Sequence, residues 1–215
     1  MATIKNYALT TLARFKVFAA ITISSDDDLI TDLINQATEY IERYCGRRFK
    51  KTIYTNEEID SDGSGTLFIK NYPIDNASSF TLKERNSESN EDDWDTVDSE
   101  DYFVNYDAGL IYKVADGLWV KGRKMYRVSY TAGYDFNNST TYLSDTGAGD
   151  LEYAIWKLVK SVYDKKTIIS GIRSESIGDY SVSYGRELYA SSEIKEILDR
   201  YAKFDTIGGG SPYLF

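Results

Sequence analysis

Apolar side chains between Asp26 and Cys45 fall on one face of a helix, with Leu29, Leu33, Ile34, Ala37, Ile41 and Tyr44 recurring at three- and four-residue steps. Ser25 stands where an N-cap belongs, and Asp26, Asp27 and Asp28 complement the positive end of the helix dipole. Gly46 is placed to close the helix in the left-handed conformation, with Arg43, Arg47 and Arg48 at the negative end. A shorter helix is expected over residues 11–20, directing Leu12, Phe15 and Ala19 toward the longer one. The apolar run from Val17 to Ile23 reads as part of a buried helix, because basic residues precede it and no small-x-small cleavage site follows.

From residue 51 to about 135 the period drops to two, and β-branched and aromatic residues alternate between turn signals. Candidate strands are 52–59, 66–70, 79–84, 102–105, 110–112 and 125–132, separated by turns such as Asp62-Gly63-Ser64-Gly65, Tyr72-Pro73 and Asp107-Ala108-Gly109. Asp150 is expected to cap a second strong helix, whose apolar face is Leu151, Ala154, Ile155, Leu158, Val159 and Val162. A hairpin over 174–184 turning at Gly178-Asp179, and a last helix over 192–204, complete the chain. This order predicts an α+β fold: an N-terminal helix pair, an inserted small antiparallel β domain, a long helix, a β-hairpin and a C-terminal helix. The expected domains are a discontinuous helical core (1–50 and 148–204, with the hairpin), a β insertion over 51–135, and a flexible tail over 205–215.

Composition narrows the chemistry. Among 215 residues there is no histidine and one cysteine. Zinc sites, Ser-His-Asp triads and Cys-His dyads are therefore out of reach, no internal disulfide forms, and neither a cofactor nor a catalytic residue is expected. No apolar run reaches the roughly 18 residues that a membrane span needs. The net charge of −9 is concentrated, since residues 86–101 carry eight acids, Glu91, Asp92, Asp93 and Asp95 among them, and no base. That segment is expected to be a solvated loop, and the chain as a whole is not one that grips phosphate backbones. At the far end, Gly208-Gly209-Gly210 tethers Tyr213, Leu214 and Phe215, the composition of a flexible segment carrying a docking peptide.

Three local motifs suggest chemistry. Asp145-Thr146-Gly147-Ala148 matches the aspartic-protease tetrapeptide, but it occurs once, and polar residues lead into it instead of an apolar strand, so an interdomain turn is the better account. Asp60, Asp62, Ser64 and Gly65 match the first half of a calcium loop. Asn71 holds the position where a bidentate carboxylate is wanted, leaving a hairpin turn with at most weak calcium affinity at Asp60 and Asp62, and no metal site is expected. Nineteen tyrosines and three tryptophans also raise a glycan-binding β module, with Trp94 and Trp119 as the candidates for exposed stacking platforms.

The order of several segments resembles one family. Residues 12–49, with Ser-Asp-Asp-Asp-x-Leu-Ile and then Tyr-Ile-Glu-Arg-Tyr-Cys-Gly-Arg-Arg-Phe, are similar to the opening helix pair of tailed-phage head-to-tail connector (adaptor, or head-completion) proteins. Asn71-Tyr72-Pro73-Ile74, Gly109-Leu110-Ile111-Tyr112, the stretch from Val128 to Tyr134, and the hairpin Ile177-Gly178-Asp179-Tyr180-Ser181-Val182-Ser183-Tyr184 resemble later elements of that family. The resemblance implies a structural virion protein that forms a ring, usually twelvefold, between the portal vertex and the neck or tail and extends the DNA channel. Expected partners are the portal protein, neighbouring copies of itself and a neck stopper or tail protein, with genomic DNA passing through without specific binding and no membrane contact. The alternative place in the same virion is a neck stopper or tail-completion protein. On this view Tyr213, Leu214, Phe215, Ile177, Tyr180, Val182 and Tyr184 dock partners. Arg43, Arg47 and Arg48 meet neighbouring subunits, and the acidic loop lines the channel or lies exposed.

Overall fold

The computed structural model describes residues 2–86, 93–165 and 191–202, together with the backbone of 174–177 and 180–183. It divides into two compact units, Met1–Cys45 with Asp135–Ala202, and Gly46–Tyr134. The architecture is α+β, as the hydrophobic pattern implies.

The first unit is helical. Helix α1 is Leu12–Ala19, capped by Thr11, whose hydroxyl accepts from the amide of Arg14. Helix α2 is Asp27–Cys45; of its predicted face Ile34, Ala37 and Ile41 are buried, while Leu29 is exposed, Leu33 and Tyr44 are half-buried, and Ile30 and Cys45 take the core positions at the ends. After an extended stretch, helix α3 runs over Gly149–Asp164 and helix α4 over Ser192–Tyr201. The core they share is Phe15 from α1, the apolar stripe of α2, Leu151, Ala154, Ile155, Leu158 and Val159 from α3, and Ile194, Ile197 and Leu198 from α4. Tyr44 donates to Asp199 at 2.7 Å, and the Cys45 thiol faces the Leu198 carbonyl at 3.6 Å, which ties the C-terminal end of α2 to α4.

Two expectations are corrected here. Ala148, not Asp150, occupies the N-cap of α3; Asp150 lies in the first turn, where its carboxylate accepts from the Leu151 amide, the Tyr201 hydroxyl and the Arg200 guanidinium. A carboxylate there still favours the helix dipole, but its hydrogen bonds join α3 to α4 instead of closing the helix end. The run from Val17 to Ile23 is not interior: Val17 is 84% exposed and Ile23 54%. Helix α1 is only eight residues long, and Phe15 takes the core position, so Val17 projects about 160° further round the helix, toward solvent.

The second unit is a β domain. Its strands are β1 Thr52–Ser61, β2 Thr66–Phe68, β3 Thr81–Arg85, β4 Trp94–Thr96, β5 Tyr102–Asn105, β6 Leu110–Lys113 and β7 Gly122–Ala132. They form an antiparallel four-stranded sheet in the order β1-β7-β3-β4 and an antiparallel three-stranded sheet in the order β2-β6-β5. One core receives side chains from both, among them Ile59, Leu82, Tyr126, Val128 and Tyr130 from the larger sheet and Leu67 and Ile111 from the smaller. Strand β4 corrects the expectation of a loop across 86–101. Trp94, Asp95 and Thr96 pair with Arg85, Glu84 and Lys83, and Val97 behind them is buried. Trp119 is also corrected, being 2% exposed, with its indole N–H on the Gly65 carbonyl at 3.2 Å and its ring edge-on to Tyr126.

A separate antiparallel pair, β8 Ser174–Ile177 and β9 Tyr180–Ser183, matches Ser174 to Ser183 and Ile177 to Tyr180.

Candidate docking surfaces

The motifs that suggested chemistry are occupied by the backbone. Asp60 accepts from the Lys124 amide at 2.7 Å, and Asp62 from the Ser64 amide at 2.8 Å within its own turn. Asp145 accepts from the Tyr142 amide at 2.8 Å in a short 3-10 turn, and Gly147 follows with φ 87°. Asp62 and Asp145 each shape a turn, which is what an aspartate at such positions does best, while Asp60 ties β1 to the backbone of β7. No group of three or more acidic or cysteine side chains is gathered as a metal would need, among the described residues. Of the two tryptophans proposed as platforms, Trp119 is interior. Trp94 is half-buried, with the Arg127 guanidinium 4.2 Å and the Arg85 guanidinium 4.9 Å from its ring centre. Cations occupy the faces that a sugar would need.

The second unit brings three sequence-remote segments together where the chain enters and leaves it. Tyr134 donates its amide to the Phe49 carbonyl at 2.7 Å and accepts from the Lys51 amide at 2.9 Å. Gly133 donates to the Pro73 carbonyl at 2.9 Å. The side chain of Asn71 is buried, accepting from the Arg48 amide at 3.0 Å and pointing its own amide at the Tyr130 hydroxyl at 3.4 Å. Burial pushes the Tyr130 phenol upward, and the neighbouring Glu57 carboxylate, to which the hydroxyl donates, raises it further. The segments Gly46–Lys51, Asn71–Ile74 and Val128–Tyr134, read in the sequence as separate motifs, are thus one hydrogen-bonded junction.

This junction changes the reading of the basic cluster. Arg47 is only 2% exposed, with its guanidinium 3.5 Å from the ring centre of Tyr72 and 5.0 Å from that of Phe49, and one nitrogen on the Tyr72 carbonyl. It braces the interior and is not at the surface to meet a neighbouring subunit. A basic triplet in sequence does not reveal which member turns inward. Arg43 and Arg48 are exposed.

Of the acidic residues singled out, Asp95 is exposed on β4 and the carbonyl of Asp93 accepts from the Asn86 amide at 3.0 Å. Glu91 and Asp92 lie outside the described residues, as do Tyr184, Tyr213, Leu214 and Phe215. Ile177, Tyr180 and Val182 are on the β8–β9 hairpin, of which the backbone is described. Sequence reasoning missed the exposed apolar residues: Val17 and Ile23 on the helical unit, and on the β unit Phe103, 65% exposed and directly across from Tyr112. The period-two pattern of β5 and β6 identifies one face as apolar. It does not say that the other face is apolar as well.

The chain is thus a helical core interrupted by an antiparallel β unit, with its acidic motifs engaged by backbone amides and large apolar residues exposed on each unit. The family model described as "Head completion protein" matches residues 8–204, and the chain belongs to that family. In fold it is similar to a chain from the "Neck of empty GTA particle computed with C6 symmetry", at a TM-score of 0.52 and 13% identity, covering 97% of this chain and 96% of that one. A chain from the virion of a native gene transfer agent particle aligns with a TM-score of 0.47 and 14% identity over the same shares. No curated protein matches it in sequence.

Proposed function

We propose that this chain is the connector subunit of a tailed-phage-type virion, forming a closed ring, twelvefold in the arrangement the family resemblance implies, between the portal vertex and the next neck or tail component. The observation that carries this reading is the family match over residues 8–204, extended by a fold likeness spanning nearly the whole of both chains to a protein in a particle neck. That neck was computed with sixfold symmetry, which a twelve-membered ring satisfies. The role is structural, and its site residues are contacts. Strand edges of the 174–183 hairpin offer backbone donors and acceptors to another chain by β-augmentation, with Ile177, Tyr180, Val182 and Tyr184 supplying side-chain specificity. Tyr213, Leu214 and Phe215, on their glycine tether, supply an aromatic anchor for the portal. The exposed carboxylate of Asp95 and its acidic neighbours repel phosphates and give a DNA conduit no point of adhesion.

The test is complementation of particles assembled without the chain. Added protein should bind portal-bearing, DNA-filled heads and restore tail attachment, and deletion of residues 208–215 should weaken that binding. Heads that accept tails equally well without the protein would overturn the reading.

A further inference from the structure

The outer face of the four-stranded sheet sets like charges against each other. Leu82 and Val128 are direct partners across β3 and β7 and face the core, so Lys83 and Arg127, the next pair along, stand together on the other side. Like charges directly opposite in an antiparallel pair repel. Arg85 adds a third cation two residues further along β3, and Trp94, its partner on β4, packs against the guanidinium groups of both Arg85 and Arg127. Glu58 answers Arg127 and Lys124, each at 3.0 Å. Among the described residues no carboxylate answers Lys83 or Arg85, although the net charge of the chain is −9.

The opposite charge lies on the same unit. Beyond β4 the chain makes a 3-10 turn, Ser99–Asp101, that leaves Asp98, Glu100 and Asp101 exposed. Asp98 accepts from the Glu100 amide at 3.0 Å, and Asp101 is only loosely paired, 3.9 Å from the Lys113 ammonium. Among the described residues these acids do not meet the sheet cations of their own chain. We infer that the cationic sheet face of one copy, made by Lys83, Arg85 and Arg127, receives the acidic turn at 98–101 of the next. The occupant is a second copy because the charges are complementary and every subunit carries both surfaces. Two unlike surfaces pair head to tail, as closure into a ring requires. A nucleic acid fits the face less well. Glu58 sets a carboxylate among the cations, and the guanidinium groups on Trp94 take the place of a stacked base. Repulsion between Lys83 and Arg127, borne by the lone chain, is then relieved on assembly, which gives a local rule broken in the subunit its reason. The inference rests on the ring-forming reading above, assigns that ring a contact, and leaves Asp95 to the conduit.

Charge reversal in two separate chains tests it. One carries Lys83→Glu with Arg85→Glu, the other Glu100→Lys with Asp101→Lys, and Asp98 is left to hold its turn. Each alone should be retained on portal-bearing heads at about a tenth of the wild-type copy number or less, since like charges then face each other. An equal mixture should return to near the wild-type number, because each reversed face finds a reversed turn on the other chain. If either double variant melts early, the single pair Lys83→Glu and Glu100→Lys carries the same test. Variants retained as well as wild type, or a mixture no better than its components, overturn the contact, while wild-type retention in the same experiment keeps the connector reading standing. Wild-type chain that never binds the heads overturns that reading and the contact with it. Duplex DNA retarded by the wild type and released by Lys83→Glu with Arg85→Glu would give the face to nucleic acid and overturn the proposal. As a check without particles, Lys83→Glu alone should raise the melting temperature of the isolated chain by about 1–3 °C, because it turns a like-charge pair into an opposite one. A lower melting temperature counts against the repulsion on which the inference is built.

Discussion

Arg14 and Glu152, 138 residues apart in sequence, meet in a bidentate pair, Nε to Oε1 at 2.7 Å and Nη2 to Oε2 at 2.9 Å. Glu152 is fully buried and also accepts from the Thr10 hydroxyl at 3.0 Å and the Ser144 amide at 3.2 Å. The guanidinium lies 4.3 Å from the ring centre of Tyr142. Removing one partner leaves the other charge uncompensated in a poorly solvated place, so Arg14→Ala should cost about 3–5 kcal/mol. Replacing both with leucine should recover much of that loss. Urea unfolding of the two single variants and the double variant measures the coupling; strictly additive losses would contradict it.

Ala20 adopts φ 55° at the C-terminal end of α1, where the amide of Ile21 donates back to the Lys16 carbonyl at 2.9 Å. A methyl group in the left-handed region costs on the order of 1 kcal/mol, and glycine does not bear that cost. Ala20→Gly should therefore raise the stability of the isolated chain by roughly 1 kcal/mol, read as a higher melting temperature.

Gly133 has no such latitude. Its φ is +108°, and a side chain there would place Cβ 2.7 Å from the Phe49 carbonyl oxygen and 2.8 Å from that of Lys50. Backbone cannot retreat as a flexible side chain can, so Gly133→Ala should destabilise the β unit by about 3 kcal/mol or more. Gly63→Ala, equally strained in φ but facing only the Lys121 side chain at 3.1 Å, should cost less. Comparing the two by thermal melting separates backbone strain from the junction clash.

Asp75 is held down to about 2 by the Lys51 ammonium at 2.8 Å, and then by the Ser78 hydroxyl and the Ala77 amide. A carboxyl with a folded-state pKa below its unfolded value of 3.8 stabilises the fold above that value, and loses its contribution as pH falls toward about 2. The melting temperatures of wild type and Asp75→Asn should accordingly differ at pH 6 and converge toward pH 2. A gap that persists at pH 2 would falsify the assignment.

The helices were legible because burial on one face imposes a period that the sequence displays directly, as in Ile34, Ala37 and Ile41 of α2, although at its N-terminal end the period pointed to Leu29 where the core takes Ile30. The strands with aromatic and β-branched residues were legible for the same reason. Strand β4 was hidden because its acidic residues suggest solvent. Asp95 sits opposite Glu84, while Trp94 on the other face pairs with Arg85 and packs against its guanidinium, so the strand is held by its aromatic residue and not by its acids. Arg47 and Trp119 went inward for tertiary reasons, since Tyr72 and Gly65 supply their partners from 25 and 54 residues away in the chain. Val17 failed in the other direction. Hydrophobicity signals that a residue will be covered, and in a subunit of an assembly the cover can belong to another molecule.

The junction at Phe49, Lys50 and Tyr134 has a consequence for how such a gene can change. Lys50 and Tyr134 form a β-bridge, so the two ends of the inserted unit lie about one strand spacing apart, near 5 Å. A segment whose ends are that close can be shortened, exchanged or removed with a few linking residues, without stretching the helices on either side. The β unit is in this sense a cassette, free to change in size and sequence while the helical unit keeps its own core.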